Sequence, residues 1–332
     1  MRHDDGTLAY RALMPDDVIA CVETLGLQSD GRLLALNSYE NRVYQVGQED
    51  GPPVVAKIYR PGRWSDAAIL EEHRFAAEAA AAEVPVVAPL VHEGRTLHIH
   101  GAFRFAVYPR RGGRAPELDD LEALTRIGRF VARLHAVGAA GRFAHRPPLG
   151  DVATGVAAHE WLLDEGVLPS HLRAAYESLC DDLFIAIRAA AGRAGPVRQL
   201  RLHGDFHPGN VLARDEQVHI VDLDDCGTGP AVQDLWMFLS GDRYEQEPQL
   251  AALLAGYTDF RAFDAAELNL VETLRTLRML GYAAWLARRW DDPAFPAAFP
   301  WFGTPRYWED HVLSLREQLA LLQEPPLVWR GD

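Results

Sequence analysis

The stretch RLHGDFHPGN, residues 201–210, places His203, Asp205, His207 and Asn210 within eight positions. Two chemistries use such a run: a metal cage, or the loop of an enzyme that moves a phosphoryl group. His203 and His207 are four apart, which suits two ligands on one face of a helix. However, Gly204, Pro208 and Gly209 are poor helix-interior residues, and Pro208 disfavours helical backbone at His207. The only other histidines close in sequence at ligand spacing are His98 and His100, far upstream in a strand-like run. A zinc or iron cage is the weaker reading.

Phosphoryl transfer needs a carboxylate to take a hydroxyl proton, oxygen ligands for magnesium, and a cation on the nucleotide phosphates. Asp205 follows the strand-like run QLRLH, where a loop can aim it at a substrate hydroxyl. Asn210 offers a neutral amide oxygen of the hard kind that magnesium favours. The apolar run VHIV then delivers Asp222, with Asp224 and Asp225 behind it and Asp224 as a second candidate ligand. One of the 33 basic residues is a lysine, Lys57 in VVAKIY, and the rest are arginine. A chain that uses lysine once invites a function for it, and phosphate binding is the expectation. A glutamate on the next helix, Glu72 by preference over Glu71, can hold that lysine extended. The whole reads as H-x-D-x4-N, then a metal aspartate, with V-A-x-K upstream.

Composition agrees with a folded enzyme. Apolar residues make up 48% of 332 positions, enough for a sizeable core. A net charge of -14 argues against nucleic acid or an anionic membrane as the main partner, though local cations and a metal can still bind phosphate. The first residues carry acids and no long apolar run, so no signal peptide and no membrane span are expected. Cys21, Cys180 and Cys226 are widely spaced and fit three reduced thiols.

Residues 1–109 read as a strand-rich lobe: LLALNS, NRVYQVG, PPVVAKIYR, VPVVAPLVHEG, TLHIHG and FRFAVYP are strand-like. One helix, SDAAILEEHRFAAEAAAAE, interrupts them, capped by Ser65 or Asp66. RRGGRAP begins at 110, and 110–332 reads as a mainly helical lobe. There Leu121, Leu124, Ile127, Val131 and Leu134 share one helical face, and Leu270, Leu274, Leu277 and Trp285 another. The fold class is therefore α+β, with a small antiparallel sheet and one packed helix ahead of a larger helical lobe. Asp234 is expected to brace the catalytic loop or cap a helix, and PAFPAAFPWFGTPRYW to be an ordered loop.

HGDFHPGN resembles the catalytic loop of the aminoglycoside phosphotransferase and choline kinase group, which has the bilobal protein-kinase fold. LLALNSYENRVYQV, VVAKIYRPGRW, ILEEHRFA, FAVYP, VDLDD, QDLWMFLSGD, WLARRWDDPAFP and LQEPPL are similar to one branch, the bacterial stress response kinase A (YihE/RdoA-type) Ser/Thr kinases. The resemblance spans about residues 33 to 327. It implies ATP and Mg2+ as cofactors, a monomeric cytoplasmic enzyme, and phosphorylation of serine or threonine in proteins, itself included. It also implies a role in surviving envelope or oxidative stress. Carried over by residue, Asp205 is the proton acceptor, Asn210 and Asp222 hold magnesium, Lys57 binds the α/β-phosphates, and Ser38 of the NSYENR turn touches the ATP phosphates.

Three departures from ordinary protein kinases stand out. No G-x-G-x-x-G covers the phosphates, Gly204 replaces the arginine of H-R-D, and DLD replaces D-F-G. Control by a phosphorylated activation loop is accordingly not expected. The rival readings are a small-molecule kinase of the same fold, acting on an amino alcohol, sugar or aminoglycoside, and a nucleotide-binding scaffold without activity.

Overall fold

The computed structural model describes residues 10–36, 38–214 and 217–331. Residues 1–9, on which the expectation of no signal peptide partly rests, and Asn37 of the NSYENR turn lie outside them. The helices are α1 (Pro15–Glu23), α2 (Asp66–Ala81), α3 (Leu121–Ala139), α4 (Val152–Asp164), α5 (Ser170–Ala194), α6 (Arg243–Thr258), α7 (Val271–Arg289), α8 (Ala294–Ala298) and α9 (Pro305–Gln323). The strands are β1 (Ser29–Ala35), β2 (Arg42–Gln48), β3 (Val54–Ile58), β4 (His98–His100), β5 (Phe103–Pro109), β6 (Leu200–Leu202), β7 (Val211–Arg214), β8 (Gln217–Ile220) and β9 (Gly227–Gly229). Among the described residues no helix is long and apolar enough to cross a membrane. Among the described residues two compact units form: the first takes those up to Glu117 together with those of Ala140–Arg146 and His207–Cys226, and the second takes the remainder.

In the first unit an antiparallel sheet runs in the order β1-β2-β3-β5-β4. Alternation along β3 decides what each face carries. Val54, Ala56 and Ile58 join Val46, Phe105 and Val107 in an apolar cluster with Val18, Cys21 and Val22 of α1. Lys57, one position out of phase, is left to the opposite face, where Ile69 of α2 packs on Ala106, its partner across the ladder. The Ser65 hydroxyl starts α2 by accepting the Ala68 amide at 3.2 Å.

Two sequence expectations fail in this unit. Helix α1 is a second helix where one was expected; it starts on Pro15 and buries Val18, Cys21 and Val22 at helical spacing. VPVVAPLVHEG forms no strand, because Pro85 and Pro89 have no amide for a ladder. It makes separate pairings instead, Val87 N to Ile220 O at 2.9 Å and Leu90 N to Val107 O at 2.7 Å. A hairpin of β7 and β8, registered Val211 opposite Ile220, completes the unit.

The second unit is mainly helical. Helices α3 and α6 pack backbone to backbone: a Cβ at Gly128 would strike the Leu253 carbonyl, and one at Gly256 the Thr125 carbonyl. Leu124, Ile127, Val131 and Leu134 are buried on α3, whereas Leu121 stays exposed in the first turn. Helices α4, α5, α7, α8 and α9 enclose one core that includes Leu183, Leu280, Phe295 and Trp308. The aromatic segment expected as a loop is partly helical, supplying α8 and the start of α9. Strand β6 pairs with β9, and Arg201 reaches back to cap the end of α3 through the Val137 carbonyl at 2.9 Å.

Candidate active site

The carboxylates around Lys57 define the site in the first unit. Its Nζ lies 3.5 Å from Glu72 Oε1, 3.1 Å from Asp222 Oδ1 and 3.0 Å from Asp224 Oδ1. Burial works against the ammonium, but Asp224, Glu72 and Asp222 outweigh it and hold its pKa well above the usual lysine value. The lysine is therefore a fixed cation.

Glu72, not Glu71, is the glutamate that reaches Lys57. Glu71 points elsewhere, its two oxygens accepting the amides of Ala144 at 2.7 Å and His145 at 2.8 Å. One helical position thus separates a site residue from a tether. Burial pushes the Glu72 carboxyl up to about 7, against the pull of Lys57. Arg146 also grips it, Nη2 to Oε2 at 2.9 Å, while Nε of the same guanidinium donates to the Ala68 carbonyl.

Asp222 and Asp224, two residues apart, separate cleanly. Asp222 follows β8 with φ 61 and ψ 66, a left-handed conformation that costs a non-glycine residue about 1 kcal/mol and that Asp tolerates better than most. Its side chain is 49% exposed. Asp224 is buried in the next turn, paired with Arg63 at 2.5 Å as well as with Lys57. Burial favours its neutral form, yet Lys57 and Arg63 prevail and lower its pKa to about 2. Asp224 is thus an anchor for the cations, and Asp222 the carboxylate open to a ligand.

Ser38, Lys57, Glu72, Asn210 and Asp222 line one cavity of about 280 Å³ in the first unit. Val43, Val55, Leu212 and Val221 give it an apolar wall. Asn210 is presented by a tight turn, Pro208–Asn210, in which its amide donates to His207 O at 2.9 Å and the Gly209 amide to His207 Nδ1 at 3.0 Å. His207 is therefore occupied with holding the turn. The cavity joins an apolar wall to a cation, an amide and an exposed carboxylate, a donor set that fits a hard divalent ion beside phosphate. Among the described residues no three His, Cys, Asp or Glu side chains gather as a metal cage.

Asp205 belongs to the second unit, on the loop after β6. Asp234 fixes that loop, its Oδ2 accepting the His203 amide and its Oδ1 the Gly204 amide, each at 2.8 Å. His135 lies 3.1 Å from Asp234 Oδ2, and its other ring nitrogen lies 3.0 Å from the Tyr257 hydroxyl. Asp234 is thus the brace that the sequence suggested. Gly204 has φ 86, so its place in the motif is explained by backbone: an arginine there would be strained. Phe206 is buried between His203 and Phe238, ring centroids 5.1 Å away in each case. Asp205 itself meets Arg278 of α7, Oδ1 to Nη1 at 2.5 Å. Arg63, Arg146 and Arg278 are the residues that sequence reasoning missed.

A family model described as Phosphotransferase enzyme family matches residues 32–271. The chain belongs to that family. It is 44% identical over 324 residues to Stress response kinase A of Escherichia coli (strain K12), covering 98% of both chains. It is 42% identical over 324 residues to Serine/threonine protein kinase RdoA of Salmonella typhimurium, again covering 98% of both. Within the phosphotransferase family it therefore stands in the stress response kinase A branch. Its fold is similar to that of amicoumacin kinase hAmiN in complex with AMP-PNP, Ca2+ and Ami, at a TM-score of 0.70 and 16% identity over 91% of this chain and 94% of that one. A microcompartment-associated aminopropanol kinase matches at 0.62 and 20%, over 92% and 97% of the two chains. The α+β phosphotransferase fold expected from the sequence is the fold the chain adopts.

Proposed function

We propose that this phosphotransferase is an ATP- and Mg2+-dependent kinase of serine and threonine in proteins, itself included, and that it works as a cytoplasmic monomer in a bacterial stress response. The observation that carries most weight is the buried Lys57–Glu72 pair sharing its cavity with Asn210 and Asp222. A fixed cation beside two hard oxygen donors suits the phosphates of a nucleotide with its metal. The apolar wall of Val43, Val55 and Leu212 suits the base. For the acceptor, support comes from the names of relatives 41–44% identical over the full chain.

In this reading the acceptor oxygen bonds to the γ-phosphorus while the bond to the bridging oxygen breaks, its electron pair leaving with ADP. The hydroxyl proton passes to Asp205. Lys57 holds the α/β-phosphates and Ser38 contributes a hydroxyl to them. Asn210 and Asp222 would hold magnesium, which when bound neutralises phosphate charge.

The test is phosphate transfer from γ-labelled ATP with Mg2+, to the protein itself and to a generic basic protein, with Asp205→Asn alongside. Label on serine or threonine that falls by orders of magnitude in the variant, with ATP binding kept, is the expected result. Full turnover in Asp205→Asn would remove Asp205 from its role. Nucleotide binding without protein labelling would move the acceptor to a small molecule.

A further inference from the structure

The contact that neither the family nor the relatives' names account for is Arg278 on Asp205. We propose that Arg278 is the acceptor-selecting residue: it makes the site take a polypeptide hydroxyl with a carboxylate beside it and turn away cationic alcohols. The inference rests on the reading of Asp205 as the group that takes the hydroxyl proton.

The geometry leaves Arg278 well suited to this. Its Nη1 is 2.5 Å from Asp205 Oδ1, and no other carboxylate among the described residues pairs with it. A guanidinium carries five N–H donors, so further donors remain for a second anion. The side chain is 45% exposed and that of Asp205 25% exposed. An ion pair that open contributes little to folding, about 0–1 kcal/mol, so stability does not explain it. Nor is Arg278 part of the packing of α7, whose buried residues are Leu274, Leu277, Leu280 and Ala284 among others.

Charge then decides which acceptors fit. A hydroxyl bonded to Asp205 stands within about 3 Å of its carboxylate, which brings any charge two or three bonds further along close to the guanidinium. With Asp205 alone, that neighbourhood would be anionic and would draw an ammonium. With Arg278 in place the ammonium of an amino alcohol meets a like charge, while an acidic side chain flanking a serine meets its complement. The same face of α7 continues one and two turns on into Tyr282 and Trp285, ring centroids 5.6 Å apart. Tyr282, 39% exposed, offers an extended acceptor a ring to lie on there; a small alcohol gains nothing from it.

The experiment uses the full chain with Mg2+ and ATP and four acceptors. Three are alanine-based peptides with one serine flanked by glutamate, by glutamine or by lysine, and the fourth is a simple amino alcohol. The wild-type protein should phosphorylate the glutamate peptide with kcat/KM about tenfold above the glutamine peptide, and the lysine peptide and amino alcohol least. Arg278→Gln should level the peptides, and Arg278→Glu should invert their order, which a merely structural role would not do. Preference for the lysine peptide or amino alcohol, an unchanged order in Arg278→Glu, or labelling of none of the four overturns the proposal. An Asp205→Asn control separates the two levels: if it keeps full turnover, the reading of the base fails, whereas if it is inactive and the order ignores Arg278, only this inference fails.

Discussion

His73 shows how one residue couples the site's surroundings to pH. It follows Glu72 on α2, with its Nε2 2.7 Å from the Tyr59 hydroxyl and its Nδ1 2.8 Å from Thr96 Oγ1. Burial, then the nearby charges of Lys57 and Arg146, lower its pKa to about 3. The folded chain thus refuses a proton that the unfolded chain accepts below about 6.5. Its contribution to stability is complete above pH 6.5 and is lost as pH falls toward 3, by up to about 1.4 kcal/mol per pH unit. His73→Gln, which does not titrate, should flatten that part of the melting-temperature profile measured between pH 4 and 7. An equal slope in the variant would exclude His73 as its source. At this scale much of the site was legible. Lys57 stood out because it is the one lysine, and Asp205 and Asn210 because their spacing is chemically demanding. Arg63, Arg146 and Arg278 were invisible for the opposite reason, since arginine is everywhere in this chain. The sequence left Asp222 and Asp224 open; the left-handed turn at Asp222, which sends one carboxylate into the cavity and buries the other, is a backbone property.

Among the elements, the contact of α3 with α6 admits a sharp contrast between glycines. At Gly128 a methyl group meets the backbone of the facing helix, which cannot yield without separating the two. Gly128→Ala should therefore cost about 2 kcal/mol or more by the overpacking it forces. Gly281, mid-helix on α7, has nothing within 4 Å of such a methyl, and Gly281→Ala should gain about 0.5–1 kcal/mol from helix propensity. Urea denaturation of both variants checks the pair; similar effects at the two sites would contradict the packing. Amphipathic α3 and α7 were readable because their apolar residues recur at three and four positions over several turns. VPVVAPLVHEG misled because its β-branched residues suggest a strand while its prolines deny the ladder. Helix α1 was overlooked because it is short, and α8 because prolines flank and interrupt it.

For the molecule as a whole, which stretches share a unit is decided by contacts distant in sequence that no local pattern announces. Glu71 gathers Ala144 and His145 into the first unit, and the pairing of Pro85 and Val87 with Ile220 gathers the β7–β8 hairpin. A different consequence follows from Lys57 standing alone in the chain. An endoproteinase that cleaves only after lysine has a single bond to cut, and that bond lies in β3, paired on one side with β2 and on the other with β5. Cleavage requires the first unit to open, so its rate follows the population of the opened form when reclosing is fast. The chain thus carries its own opening reporter, read as two fragments on a gel. Mg2+ and ATP at about 100 times the dissociation constant should slow the cut about a hundredfold, and Asp222→Ala should weaken that protection at the same nucleotide concentration. Cleavage as fast with nucleotide as without would mean that the ligand does not bind the closed first unit.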